Sequence, residues 1–299
     1  METASCEIVR PPEELLATII SLTSPQDACR AAAVSRAFCA AADSDAVWSC
    51  FLPRHLPQFA QGEFPDMPPS TMKQTFLCLS DAPLLLPCRL MTMQLDKFSG
   101  AKCYTLSVRA LHISWGDTPH YWEWIHLGCR DENKRFELFS EVARLCGVCW
   151  LEIRGKIHSR MLSRNSMYTV YMVFKLAPTE YYNLDFPFQE ASINVGGSES
   201  TRQVCLQGFM EDGEGGVPQK HILRSLCGTY YYPTLHAIPL TDDVMFGRER
   251  SDGWMEVELG EFYNGEGYDG EVSISLMETK GGKWKSGLIV WGIEIRHKH

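Results

Sequence analysis

From about Ala101 onward apolar residues recur at every second position, and this period commits the larger part of the chain to β-structure. Strand-like runs fall at Cys103–Leu111, Cys149–Ile157, Tyr168–Leu176, Arg202–Gln207, Trp254–Leu259, Glu271–Met277 and Leu288–Ile295. In the last run Ile289, Trp291, Ile293 and Ile295 lie on one side, with Glu294 and Arg296 on the other. The period breaks over Phe136–Cys146, where Phe139, Val142, Ala143 and Cys146 share a helical face, so one interrupting helix is predicted there. Many short strands between turns imply an antiparallel β-sandwich, jelly-roll-like, over residues 101–297. Residues 208–250 contain Glu211-Asp212-Gly213-Glu214-Gly215-Gly216 and little periodicity, and are predicted to form a long surface insertion.

Residues 8–52 have a different period and are predicted to form three helices, so the fold class is α+β and multidomain. Pro12 suits a first helical turn and Glu13 and Glu14 suit its positive end, followed by Leu15, Leu16, Ile19, Ile20 and Leu22 at helical spacing. Ser24-Pro25-Gln26-Asp27 is a helix start, with a capping Ser, a Pro at the next position and an acid three residues on. The Ala-rich helix that follows puts Val34 and Phe38 on one face, and Ser44 is placed to cap a third helix carrying Val47, Trp48, Phe51 and Leu52. A module of about 45 residues rarely buries enough surface to fold firmly alone. Its apolar residues exceed what three short helices can hide, so it packs on a neighbour or offers an apolar face to a partner. Residues 53–100 read as a Pro-rich linker and connecting segment with a short helix near Met72–Ser80.

Charge and composition narrow the function. A net charge of −9 with no dense basic run disfavours nucleic acid and anionic membranes, because phosphate neutralisation by Lys and Arg drives that binding. No stretch reaches the roughly 20 apolar residues of a membrane helix. Met1–Arg10 lacks the apolar run of a secretory leader, and no Asn-x-Ser/Thr acceptor occurs. Twelve irregularly spaced cysteines then imply free thiols in the cytoplasm, the nucleus or both. Cys146-Gly147-Val148-Cys149 has half of a zinc-knuckle spacing without a second pair, and reads as packing thiols at a helix end. The nine histidines show no metal or triad spacing, Gly213–Gly216 lacks the Lys-Ser/Thr of a phosphate loop, and Glu266–Glu271 lacks calcium-loop periodicity. There is no Gly-x-Ser-x-Gly elbow. The expectation is a non-catalytic chain with no metal and no cofactor.

Two resemblances sharpen this. Pro12-Glu13-Glu14-Leu15-Leu16 with Ile19-Ile20, then Ser24–Ala28, Val34-Ser35-Arg36 and Phe38, and finally Asp45–Trp48, resemble an F-box. The resemblance implies docking onto a Skp-type adaptor and through it a cullin, with Pro12, Leu15, Ile19, Ile20, Leu22, Val34, Trp48 and Phe51 as the adaptor-binding set. Ile113–Trp124, Trp150–Ile157, Tyr168–Lys175, Arg250–Glu256, Asp269–Glu271 and Trp284–Val290 resemble the phloem protein 2 family, which includes Nictaba-type lectins. Both modules in one chain resemble the plant F-box proteins with a phloem protein 2 tail. The lectins bind N-acetylglucosamine oligomers and N-glycan cores, and their site residues fall on Trp115, Trp122, Glu271 and Glu278 of this sequence. Their lysine-rich nuclear-import cluster has no counterpart in the insertion.

The chemistry of those residues suits sugar independently of the resemblance. An indole covers the C–H face of a pyranose, and a carboxylate takes charge-assisted hydrogen bonds from hydroxyls. Trp115–Trp124 surround a Gly-Asp-Thr-Pro turn, which places indoles on a loop rim, and truncating Trp122 is expected to weaken sugar binding with the fold intact. Glu271 and Glu278 are seven residues apart, so a flat strand directs them to opposite faces; sharing one site needs a bulge, a strong twist or Glu278 in the following loop. Two alternatives stay open: a sandwich that recognises a protein surface through its tryptophans, and a glycosidase whose two carboxyls lie about 5–10 Å apart.

Overall fold

The computed structural model describes residues 11–64, 69–127, 138–178, 183–212, 218–222 and 243–299. The chain divides into two compact units, Met1–Leu84 with Gln94–Ala101, and Leu85–Met93 with Lys102–His299.

The first unit is helical: α1 (Glu13–Ser21), α2 (Pro25–Ala32), α3 (Arg36–Ala42), α4 (Asp45–Phe51) and α5 (Met72–Asp81). Capping side chains explain why four short helices stand where three were expected. Ser24 Oγ accepts the Asp27 amide at 3.1 Å. Ser35 Oγ does the same for Phe38 at 3.3 Å, which ends the Ala-rich helix at Ala32 and starts another. Ser44 makes no cap bond; its hydroxyl donates to the Ala41 carbonyl at 2.8 Å. Trp48 is the hub of the unit's core. Its ring packs on Phe51 and Phe76 with centroids 5.6 and 5.2 Å away, and its Nε1 donates to the Ala42 carbonyl at 2.7 Å.

Among the described residues the strands are β1 (Leu84–Leu85), β2 (Met91–Leu95), β3 (Lys102–Ser107), β4 (His112–Ile113), β5 (Trp122–His126), β6 (Glu141–Leu145), β7 (Leu151–His158), β8 (Ser166–Leu176), β9 (Gln189–Val195), β10 (Ser198–Asp212), β11 (Pro218–Ile222), β12 (Val244–Glu249), β13 (Met255–Asn264), β14 (Glu271–Glu278) and β15 (Leu288–His297). From β3 the order is β3-β15-β8-β13-β12-β10-β9-β14-β7-β4. The β10–β12 pair is parallel, and the other pairs along this path are antiparallel. Because β12 pairs with β10 on one side and β13 on the other, the expected sandwich takes the form of one continuous curled sheet.

Three expectations change with the structure. Residues 141–145 are strand β6, paired with β5 and β15, and not the interrupting helix. Glu-Val-Ala-Arg-Leu fits either period over so short a run, and the open partners on β5 and β15 decide it. Phe136 itself lies outside the described residues. The predicted insertion at 208–250 holds the end of β10, then β11 and β12, with Val244 and Phe246 buried on β12; residues 223–242 lie outside the described residues. Strand β15 is buried on both faces, Glu294 included, because it is central and its register shifts between Val290 and Gly292.

That buried glutamate belongs to an ion cluster across β12, β13 and β15. Arg250 Nη1 lies 3.2 Å from both Glu256 and Glu294, Arg250 also pairs with Asp252 at 3.0 Å, and Arg296 bridges the two glutamates. Burial pushes the Glu256 carboxyl up, but its bonds to Arg296 and Arg248 outweigh this and hold it below the ordinary value of 4.5. Its folded pKa is therefore lower than its unfolded pKa. The stability it contributes is complete above that ordinary value and is lost as pH falls through the folded one. Urea midpoints followed by tryptophan fluorescence are expected to fall markedly from pH 7 to pH 3; equal midpoints would contradict this role.

Candidate functional site

Strands β4, β7, β14 and β9 lie side by side and antiparallel, with Ile113 opposite Ile153, Leu151 opposite Glu278, and Met277 opposite Glu190. The pairing brings four chain ends together: those leaving β4 and β14 and those entering β7 and β9. The segment at each end carries a solvent-exposed aromatic ring, Trp115 (59%), Trp284 (52%), Trp150 (49%) and Phe186 (46%). Four large apolar rings left in water at one sheet end form an exposed rim suited to a flat, partly apolar ligand.

The Trp115 turn is strongly constrained. Trp115 sits at φ 64°, a left-handed conformation that a bulky residue adopts only where its surroundings impose it. Gly116 donates to the Ile113 carbonyl at 3.0 Å and Thr118 to the Trp115 carbonyl at 2.9 Å. Two indoles clamp the turn from beneath. Trp122 Nε1 donates to the Ser114 carbonyl at 3.2 Å, and Trp124 Nε1 to the Gly116 carbonyl at 3.0 Å. Trp122 is only 1% exposed. It is core, and offers no face to a sugar as placed. The expectation that both tryptophans project into solvent holds for Trp115 alone.

The two glutamates also part. They occupy the two ends of β14, about 24 Å apart at roughly 3.4 Å per residue. Glu271 lies at the far end, opposite His158, exposed and paired with Lys156 at 2.7 Å. No bulge or twist brings it to the rim, and the pair cannot serve as the two carboxyls of a glycosidase. Glu278 is at the rim end but buried, ion-paired with Lys285, whose side chain is fully buried. Its Oε1 accepts the Lys280 amide at 3.1 Å and the Gly281 amide at 2.7 Å. Burial pushes this carboxyl up, yet Lys285 and the two amides hold it below the ordinary range.

Sequence reasoning missed Glu152, Trp150, Trp284 and Phe186. Glu152 accepts the Ser114 hydroxyl at 2.7 Å and the Trp150 Nε1–H at 2.9 Å, so one carboxylate ties together the segments flanking β4 and β7 that carry Trp115 and Trp150. These two bonds, with Arg154 beside them, keep it ionised below the usual carboxylate range. A tryptophan just outside a strand end was the available signal for Trp150; for Trp284 and Phe186 only the strand pairing reveals the shared location. Cys146 and Cys149 are exposed thiols on a loop after β6, not at a helix end.

In the helical unit α1 is apolar on two sides. Leu16 and Ile20 are buried, whereas Leu15 (51%), Ile19 (53%) and Leu22 (82%) line the outer side and Val34 (68%) is exposed after α2. Pro12 is exposed as well. Ile20, Trp48 and Phe51, expected to face the adaptor, are core residues with at most 8% exposure. They support the surface and do not form it.

These burials separate structural from surface tryptophans. Trp122→Ala is expected to destabilise the protein by about 3–5 kcal/mol, and Trp115→Ala to change stability by less than about 0.5 kcal/mol. Urea denaturation of the two variants checks this; equal losses would contradict the assignment.

Comparison with known proteins fits both units. A phloem protein 2 family model matches residues 101–297, and an F-box-like model matches residues 12–54. F-box protein PP2-B1 of Arabidopsis thaliana is 37% identical over 311 residues, covering 95% of this chain and 88% of the relative. Putative F-box protein PP2-B12 of the same plant is 38% identical over 287 residues, covering 96% of each. With this identity sustained along nearly its whole length, the chain belongs to the F-box proteins that carry a phloem protein 2 domain.

Proposed function

We propose that this protein is the substrate-recognition adaptor of a cullin-based, SCF-type ubiquitin ligase, and that its phloem protein 2 domain binds glycans or glycoproteins containing N-acetylglucosamine. The adaptor half is carried by one observation: α1 has two apolar sides and the helical unit buries only one of them. Leu15, Ile19, Leu22, Val34 and Pro12 supply the surface for a Skp-type adaptor. The mechanism is proximity. Tethering a bound glycoprotein to the ligase raises the effective concentration of its lysines at a charged conjugating enzyme, and this chain makes no covalent bond. The sugar half rests on Trp115, exposed and rigidly mounted among three further exposed rings. The same reading puts the protein in the cytoplasm or nucleus, where cysteines stay reduced.

A second reading has its own support. Trp122 and Glu278 are buried and Glu271 lies at the other end of β14, so three of the four sugar residues implied by the lectins do not face the rim. Exposed aromatics also make good protein hot spots, and the rim would then hold a polypeptide.

One experiment addresses both halves. The full chain is assayed on a glycan array and by pull-down with a Skp-type adaptor, beside an Ile19→Glu/Leu22→Glu variant and a Trp115→Ala variant. The double variant is expected to lose the adaptor and keep the sugar; Trp115→Ala is expected to do the reverse. Binding of a specific protein with no glycan bound would favour the second reading, and an unaffected pull-down would remove the α1 surface.

A further inference from the structure

We propose that the buried Glu278–Lys285 ion pair is a positioning device that mounts Trp284 on the rim, so that Glu278 serves the ligand through a loop and not by contact. The proposal rests on the sugar-binding reading and deepens it by assigning one acid to a different task.

The geometry carries the inference. Glu278 and Lys285 bracket the segment that holds Trp284, and their side chains are 3% and 0% exposed, so neither charge reaches the surface. A buried pair is rarely the cheapest way to fill such a space, because the cost of removing both charges from water roughly cancels their attraction. A pair of apolar residues would pack as well but could not hold backbone polar groups. This pair holds several. Glu278 takes the Lys280 and Gly281 amides, and Lys285 Nζ donates to the Lys283 carbonyl at 2.9 Å and the Cys149 carbonyl at 3.2 Å. The Cys149 bond ties the Trp284 segment to the residue next to Trp150. A second tether comes from Asn183 Nδ2, which donates to the Trp284 carbonyl at 2.7 Å.

The neighbours are shaped to this arrangement. A side chain at Gly281 would come within 2.7 Å of Pro187 and 3.1 Å of Glu278 Oε1, so the loop fits only with glycine there. Beside the indole, a methyl group at Gly147 would lie 3.6 Å from the Trp284 ring, an ordinary contact, so the constraint on the loop comes from Gly281. The ring thus stands on a loop fixed from below by two charges.

The test uses the full chain and two readouts, hydrogen exchange of the 279–284 segment and affinity for a chitin-type oligosaccharide. Glu278→Leu/Lys285→Met removes both charges together, so neither is left buried alone and the fold is retained. Gly281→Ala keeps both charges and crowds the loop, a second variant should the first fail to fold. In either variant exchange at 279–284 is expected to rise about tenfold or more, and affinity to fall about tenfold, the loss of one well-placed stacking contact. Trp284→Ala alone is expected to lose the same affinity, and adding it to the double variant to lose no more. Unchanged exchange, or raised exchange with full affinity, would overturn the positioning role. Trp284→Ala with full affinity would overturn it too, while leaving the Trp115 platform standing. A wild-type chain that binds no oligosaccharide would overturn the sugar reading itself, and with it the ligand role of Trp284.

Discussion

The antiparallel pairing of β4, β7, β14 and β9 is the constraint from which the candidate site follows. Neighbouring strands lie about 4.8 Å apart. Once their register is set, the chain segments entering and leaving them share one end of the sheet. Trp115, Trp150, Phe186 and Trp284 are scattered over 170 residues of sequence and meet only because of this. The register also sends Glu271 to the opposite end, beside His158 and Lys156, where the surface is charged.

Polar groups beneath the rim then decide what the rings can do. Trp122 and Trp124 spend their N–H groups on carbonyls of the Trp115 turn, Glu152 links Ser114 to Trp150, and Glu278 with Lys285 fixes the segment under Trp284. Each exposed indole therefore rests on a buried or half-buried polar contact. A platform held in place before the ligand arrives loses less entropy on binding than one that must be ordered. The helical unit follows a similar division, with Leu16, Ile20 and Trp48 building the core that presents Leu15, Ile19 and Leu22.

Much of this was legible in the sequence, and the limits have physical causes. Ser24 at α2 and the helix near Met72 could be read because capping and period are local. So could the long strands β7, β8, β14 and β15, whose alternation is strong. The odd spacing of Glu271 and Glu278 already pointed to opposite faces. What stayed hidden was non-local. Ser35 competes with its Ala-rich surroundings as a cap, and β6 is a strand only because β5 and β15 pair with it. Trp115 and Trp122 share a residue type and a turn; only packing makes one a surface and the other a core. Trp284 and Phe186 gave no signal of a shared site, since nothing in their own segments tells which sheet end they join.

The central claim is that the exposed indoles at one sheet end, and not the buried ones, receive a carbohydrate. The most direct measurement follows the indole N–H resonances of the full chain during titration with a chitin-type oligomer. Shifts at Trp115, Trp150 and Trp284, with Trp48, Trp122, Trp254 and Trp291 unmoved, are the expected result. A titration that leaves all three exposed indoles unmoved would contradict it.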